Sequence, residues 1–231
     1  MADADEGTDP TGERQLSVRA TRMEAFSDAV FAIAITLLVL EVGVPEDSGQ
    51  DLLKDILDQW PAYLAYLVSF ASIGAVWSAH VVITEFIGRV TTTLTRLNLL
   101  LLMVVAFLPY PTELLAHYIE QDTQERVAVT FYGGNLVACA LLIAVMWRYA
   151  AGAGLVRGDA AREDIRTLSG RLTPSLAGYL AMIGLGLFFP ILAVLGYLVL
   201  AVIIMVPIRE LRHSRADRPT RTGRWLRRRA R

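Results

Sequence analysis

Long runs of apolar residues alternate along the chain with short polar segments. Each of the first four runs holds about 18 residues or more, enough for an α-helix to cross a hydrocarbon core of ~30 Å. Charged or turn-forming residues bound every run, as is typical of membrane-spanning helices. The four runs extend from Phe26 to Val44, from Trp60 to Ile87, from Leu97 to Leu115 and from Val127 to Ala151.

A fifth run, from Leu172 to Pro207, is too long for a single crossing. Its 36 residues would form a helix of ~54 Å, well beyond the thickness of the core. Proline suits the first turn of a helix, so we expect a hairpin at Phe189-Pro190; one long kinked helix is the alternative. The pattern predicts an all-α, polytopic membrane protein with six transmembrane helices.

The composition agrees with this class. Hydrophobic residues make up 54% of the 231 positions and the mean hydropathy is +0.44, whereas soluble domains hold about 45 to 50% apolar residues. The single cysteine, Cys139, allows neither an internal disulfide nor a Cys/His metal set. His117 and His213 are isolated in the sequence, so we predict no metal site and no cofactor.

Charge is distributed unevenly, and its distribution predicts the orientation. Segments 46–58 and 113–125 are rich in acid, whereas Arg89, Arg96 and five arginines between residues 148 and 171 flank the other turns. Because cytoplasmic loops carry the arginine excess, we expect the acidic loops outside the cell and both termini in the cytoplasm.

The C-terminal tail is strongly basic, with ten arginines in residues 209–231. We expect this tail to set the topology and to contact anionic lipid headgroups. Nucleic-acid binding is the disfavoured alternative, and no nucleic-acid partner is predicted. The expected organisation is a disordered cytoplasmic tail over 1–20, a six-helix channel domain over 21–208 and a basic cytoplasmic tail over 209–231.

The first helix carries the most informative residues. Asp28 is ionisable and lies in an apolar run, where an unpaired carboxylate is costly, so it should face protein, a partner or water. At ~100° per residue, Ile33, Leu37, Leu40 and Val44 fall within about 40° of one line. We call Ile33, Leu37 and Leu40 the apolar stripe. Thr36 lies about 60° to its side, and Asp28 points about 140° away. Asp28 is therefore better placed to contact neighbouring helices than an ion.

Partners for Asp28 can be sought at the same depth of the membrane. His80 precedes the cytoplasmic turn between helices two and three, and Asn98 follows it. We expect both to join Ser27 and Asp28 in an interhelical polar cluster, with Trp77 one turn from His80, because lipid cannot satisfy buried polar groups. Simple packing, without any role in gating, is the alternative.

The motif Arg22-xxx-Phe26-Ser27-Asp28, followed by an aliphatic helix, resembles the bacterial branch of the TMEM175 potassium channel family. The resemblance continues through Trp77-xx-His80 and through the stretch from Asn98 to Thr112. It implies a homotetramer of six-helix subunits in the bacterial plasma membrane, with the first helix of each subunit around a central pore. The network that holds this helix comprises Arg22, Phe26, Ser27, Asp28, Trp77, His80 and Asn98.

The resemblance also implies roles for the residues of the stripe. Ile33 becomes the narrowest constriction, Leu37 and Leu40 form further apolar rings, and the Thr36 hydroxyl aids selectivity. The Thr-Val-Gly-Tyr-Gly filter does not occur in this sequence. Apolar rings exclude ions by dewetting, so we expect a modestly selective potassium channel with K⁺ as the permeant ion.

Other functions remain open at this point. A proton or non-selective cation leak is the first alternative, because His80 and Asp28 could relay protons. A secondary transporter is the second, although the inverted repeats typical of that class are not evident. A membrane scaffold or intramembrane enzyme has no positive support, since no catalytic set of residues is recognisable. The chain is therefore not expected to be an enzyme.

Overall fold

The computed structural model describes residues 10–43, 51–119, 121–157 and 162–205, with the side chains of residues 10–19, 122, 162–169 and 171–173 left out. Apart from one isolated antiparallel bridge between Ile87 and Val156, the regular structure in these ranges is helical. The helices are α1 (Pro10–Leu37), α2 (Leu52–Asp58), α3 (Trp60–Phe86), α4 (Thr92–Ala106), α5 (Pro109–Tyr118), α6 (Asp122–Gly152), α7 (Arg162–Gly186) and α8 (Pro190–Met205), with a 3₁₀ turn (Leu38–Glu41) directly after α1.

The first four predicted runs coincide with helical segments, although the first is described as helical only to Glu41 and the third is divided in two. Four segments of the described chain are long and apolar enough to cross a membrane, namely Ala20–Glu41, Trp60–Phe86, Thr92–Tyr118 and Thr123–Gly152. Helix α1 begins at Pro10, ahead of the domain boundary predicted at residue 21. Residues 1–9 and the predicted basic tail, 209–231, lie outside the described residues.

The predicted break near Pro190 is also confirmed. Helix α7 ends at Gly186 and α8 begins at Pro190, which has no N–H to donate. The N–H groups of Phe188 and Phe189 both bond to the Leu185 carbonyl, at 3.1 and 2.8 Å. The apolar parts of both helices, Pro174–Gly186 and Pro190–Met205, are shorter than the four longer spans.

The third span differs from the prediction of one uninterrupted helix, because it breaks between α4 and α5. Pro109 cannot donate to the Val105 carbonyl, and Leu108 N–H bonds to Val105 at 3.1 Å instead of to Val104. The Asn135 side-chain amide donates to the freed Val104 carbonyl at 3.2 Å. The proline thus causes the break, and a side chain from α6 satisfies the backbone group it leaves unpaired.

The acidic segment 46–58, predicted to be a loop, contains a short helix, α2. Asp51 caps α2 by accepting a hydrogen bond from the backbone N–H of Lys54, at 3.2 Å. Gln59 alone separates α2 from α3. The high content of acid in this segment therefore does not prevent a helix, because one of the acidic side chains, Asp51, caps its N-terminus.

The helices pack as a bundle in which α1 is held by α3 and α4. Helix α3 also contacts α5 and α8, while α6 contacts α4, α5 and α7. The close approach of α6 to α8 depends on Gly133, where an added Cβ would collide with the Tyr197 hydroxyl and lie 2.7 Å from Ile183 Cγ1. Small residues allow such approaches between membrane helices. Gly134, by contrast, faces open space.

Two loops join at the end of the bundle that carries Arg89. Gly88 N–H bonds to the Leu155 carbonyl and Arg157 N–H to the Phe86 carbonyl, both at 2.9 Å. The turn after α6 uses Gly154 with φ of 64°, a conformation that favours glycine. These bonds hold the α3–α4 connection against the segment that follows α6.

Candidate functional site

Helix α1 and the 3₁₀ turn after it have one face that is buried in the subunit and one that is exposed. Phe31, Ala34 and Leu38 are buried against neighbouring helices. The apolar stripe is exposed, with Ile33, Leu37 and Leu40 at 58, 41 and 71% of their full accessibility. Such large apolar side chains need a lipid, a second copy or a dewetted pore beside them in the membrane.

Thr36 lies beside the stripe and is exposed as well. Its hydroxyl donates to the Ile33 carbonyl at 2.9 Å, a common arrangement for threonine within a helix. A hydroxyl has two acceptor lone pairs, so the oxygen can still interact with a cation or water on the open face.

On the opposite face of α1, hydrogen bonds link four residues in series, which we call the Ser27 chain. Its members are Met23, Ser27, Asn98 and His80. The Asn98 amide N–H donates to Ser27 Oγ at 2.9 Å, and the Ser27 hydroxyl donates to the Met23 carbonyl at 2.8 Å. This assignment turns Asn98 Oδ1 towards His80 Nε2, 2.8 Å away. His80 therefore carries its proton on Nε2 and donates to Asn98.

His80 sits fully inside the subunit. Its ring packs against Phe31, with 5.5 Å between the ring centres. Its Nδ1 is buried and has no hydrogen-bond partner among the described residues. One turn later in α3, the Thr84 hydroxyl donates a hydrogen bond to the His80 carbonyl at 3.1 Å. Phe31 was not singled out from the sequence, although it lies one turn after Ser27 on the same face.

Asp28 makes a separate contact at the edge of this chain. The Trp77 indole N–H donates to Asp28 Oδ1 at 2.9 Å, so the carboxylate gains a partner from α3. Arg22 and Phe26, which share the sequence motif, have exposed side chains. Among the described contacts they join neither the Ser27 chain nor the Trp77 pair.

A second polar cluster was not predicted. Ser69 Oγ lies 2.7 Å from Thr112 Oγ1 and donates to the Tyr132 hydroxyl at 3.2 Å. Tyr132 donates to Ser72 at 3.2 Å. All four side chains are buried, and they tie α3 to α5 and α6. The spacing of two serines by three residues in an apolar run is the signal that could have shown it, because such residues share one helix face.

The structure offers no arrangement for a metal within its described ranges, where no three His, Cys, Asp or Glu side chains come together. His117 packs against its neighbour Tyr118, with 4.8 Å between ring centres. His213 lies outside the described residues. The polar groups that do converge are those around Ser27 and Ser69.

Known proteins resemble this chain over the residues that form these contacts. Residues 22–109 match the family model described as endosomal/lysosomal potassium channel TMEM175. A potassium channel of Chamaesiphon minutus is 43% identical over 161 residues, which are 67% of this chain and 79% of that protein. The chain belongs to the TMEM175 family. Every residue of the Ser27 chain and of the Asp28–Trp77 pair falls within the matched range.

Further TMEM175 relatives share parts of the chain. A potassium channel of Streptomyces collinus is 48% identical over 127 residues, 54% of this chain and 62% of that protein. The human endosomal/lysosomal proton channel TMEM175 is 34% identical over 120 residues, but these are 24% of its length. The chain thus matches less than two thirds of both relatives.

The fold agrees with the family. The crystal structure of a lysosomal potassium-selective channel TMEM175 homolog from Chamaesiphon minutus superposes with a TM-score of 0.74 at 37% identity, covering 81% of this chain and 96% of that one. The TMEM175 resemblance of the sequence is confirmed, and so is an all-helical membrane fold.

Proposed function

We propose that the chain is a potassium-preferring channel, formed by four copies around a central pore lined by α1. The observation that carries this proposal is the exposed apolar stripe on the one long helix whose other face is fixed by the Ser27 hydrogen bonds. In a TMEM175 homolog named as potassium-selective, helices superpose on those of this chain. In a tetramer, the exposed stripe would line a dewetted pore on the axis, which a single subunit cannot form.

An ion that passes through the proposed pore would contact the apolar side chains of the stripe. We assign the narrowest constriction to Ile33 and further rings to Leu37 and Leu40. Such rings empty of water unless an ion enters with part of its hydration shell, and K⁺ gives up that shell more readily than Na⁺. The Thr36 hydroxyl offers a polar oxygen beside the constriction. Discrimination between the two ions should therefore be modest.

Six transmembrane helices per subunit are part of the proposal. The apolar parts of α7 and α8 are short, but α8 packs on α3 and α7 on α6, both of which are long spans. Both termini are assigned to the cytoplasm of a bacterial cell, with segments 46–58 and 113–125 outside, and the basic tail against anionic headgroups.

Flux measurements on the purified protein in liposomes test the function. A K⁺ gradient should drive a cation current whose reversal potential follows potassium more closely than sodium. Protein that is folded, inserted and unable to pass any cation would contradict the proposal. The orientation is tested separately, by labelling single cysteines placed in the 46–58 segment with an impermeant thiol reagent applied outside.

Proton conduction is a second candidate because vertebrate relatives, including the human one, are named proton channels. The Ser27–Asn98–His80 chain supplies hydrogen-bonding groups at membrane depth, but it ends on the Met23 carbonyl on the buried side of α1. Reversal potentials that track a pH gradient rather than a K⁺ gradient would favour this candidate over the first.

A further inference from the structure

Helix α2, Leu52–Asp58, is amphipathic although it lies in a segment rich in acid. At ~100° per residue, its four apolar side chains occupy an arc of about 140°, in the order Leu52, Ile56, Leu53, Leu57. Lys54, Asp58 and Asp55 occupy the opposite arc. The two classes of residue do not mix around the helix.

The apolar face of α2 is largely exposed within the described chain. None of the seven residues is buried, and Leu53 and Leu57 keep 68 and 63% of their accessibility. Large apolar residues gathered on one exposed face mark an interaction surface.

This face continues into the exposed surface of a membrane span. Trp60, Tyr63, Leu67 and Phe70 are exposed along the first half of α3, and they follow Ile56 and Leu57 at spacings of three or four residues. Trp60 and Tyr63 are the residue types enriched where a span meets the headgroups. Because Gln59 alone separates the two helices, α2 ends at the depth that these aromatic side chains indicate.

We propose that α2 lies in the membrane–water interface, with Leu52, Leu53, Ile56 and Leu57 in the boundary between headgroups and acyl chains. Its polar face, which carries two carboxylates and one lysine, then points to water. The excess of acid makes attraction by anionic lipid implausible, so apolar burial holds the helix there. Its partner is the lipid surface of a neutral bilayer, and salt should have little effect on the contact.

Spin-label accessibility in phosphatidylcholine vesicles tests this placement on the full-length protein. Cys139 is the only cysteine of the chain, so a C139A background accepts single nitroxide labels. Leu53→Cys and Asp58→Cys place labels about 140° apart on the same helix. The ratio of accessibility to oxygen, which partitions into lipid, over a water-soluble nickel chelate should be severalfold higher at position 53 than at 58.

A second pair, Ile56→Cys and Lys54→Cys, lies about 160° apart and should repeat the contrast. Equal and high access of the nickel reagent at positions 53 and 58 would place α2 in water and overturn the proposal. Exclusion of both reagents at positions 53 and 56 would indicate a protein contact, such as a second copy, and would also overturn it. Neither result depends on whether the protein conducts ions.

Discussion

Asn98 is the side chain that joins three helices at one point. It accepts from His80 on α3, donates to Ser27 on α1 and belongs itself to α4. All three residues are buried, where an unpaired polar group costs about 1–3 kcal/mol. The amide therefore matters more through the groups it satisfies than through its own volume.

Replacing Asn98 with alanine should lower the free energy of unfolding by about 1–3 kcal/mol, because the His80 Nε2–H loses its acceptor inside the bundle. Thermal unfolding in detergent or lipid would measure the change. Thr92→Ala, at an exposed position early in the same helix, is the control and should leave the midpoint nearly unchanged. Equal midpoints for both variants would contradict the proposed importance of the amide.

Ile33 is the residue on which the pore assignment depends most directly. Ile33→Ser should raise cation flux severalfold and reduce the preference for K⁺ over Na⁺, because a hydroxyl keeps the constriction wet. Flux and reversal potentials in liposomes measure both effects. Leu99→Ser changes a similarly exposed aliphatic side chain on α4 and should leave both values as they are. If Ile33→Ser left cation flux and the preference for K⁺ unchanged, Ile33 would not form the constriction.

At the scale of elements, the helices follow from the sequence more closely than their interruptions do. The runs of apolar residues predicted α3 and α6 well, and Pro190 marked the start of α8. Pro109 breaks the third span in the same physical way, but the apolar residues around it concealed the break. Helix α2 was missed because seven residues with three charges look like a loop until their angular positions are considered.

Within the candidate site, too, some contacts could be predicted from the sequence and others could not. Depth along the membrane was sufficient to group Ser27, His80 and Asn98, since polar residues in lipid must find one another. The Ser69–Tyr132 cluster escaped because its members come from three helices whose mutual rotation no pattern in the sequence specifies. Side chains that point to a pore and side chains that point to lipid are both apolar, so the role of the stripe required the family resemblance.

Packing of α6 on α8 gives a prediction with an adjacent control. Gly133→Ala should destabilise the protein by about 1–3 kcal/mol, because the added methyl group meets the Tyr197 ring. Gly134→Ala changes the next residue, where nothing lies within 4 Å, and should be neutral or slightly stabilising. Thermal unfolding of the two variants measures both changes in stability. An equal loss of stability in both would show that reduced helix flexibility, rather than the contact with Tyr197, is responsible.

For the whole molecule, the exposed stripe predicts assembly. Native mass spectrometry of the protein released from detergent should show a species of four times the 25.4 kDa subunit mass. In the proposed tetramer, the stripes of the four copies gather around the axis, which removes this apolar surface from lipid and bulk water. A stable monomer or dimer as the main conducting species would contradict the central pore. The I33S variant should assemble into the same number of copies, because in the proposed pore this side chain faces the axis rather than a neighbouring copy.

The hydrogen bonds of α1 have a mechanical consequence. The hydrogen bonds described above from α1 to its neighbouring helices are made by Ser27 and Asp28, whereas the described contacts farther along, at Ala34 and Leu38, are apolar. In the proposed channel, we therefore expect α1 to tilt about a pivot near Asp28. At ~1.5 Å per residue, a tilt of about 5° about that pivot moves Leu40 by ~1.6 Å but Ile33 by ~0.7 Å. The aperture at Leu40 should therefore vary most as the helix moves, and the one at Ile33 least.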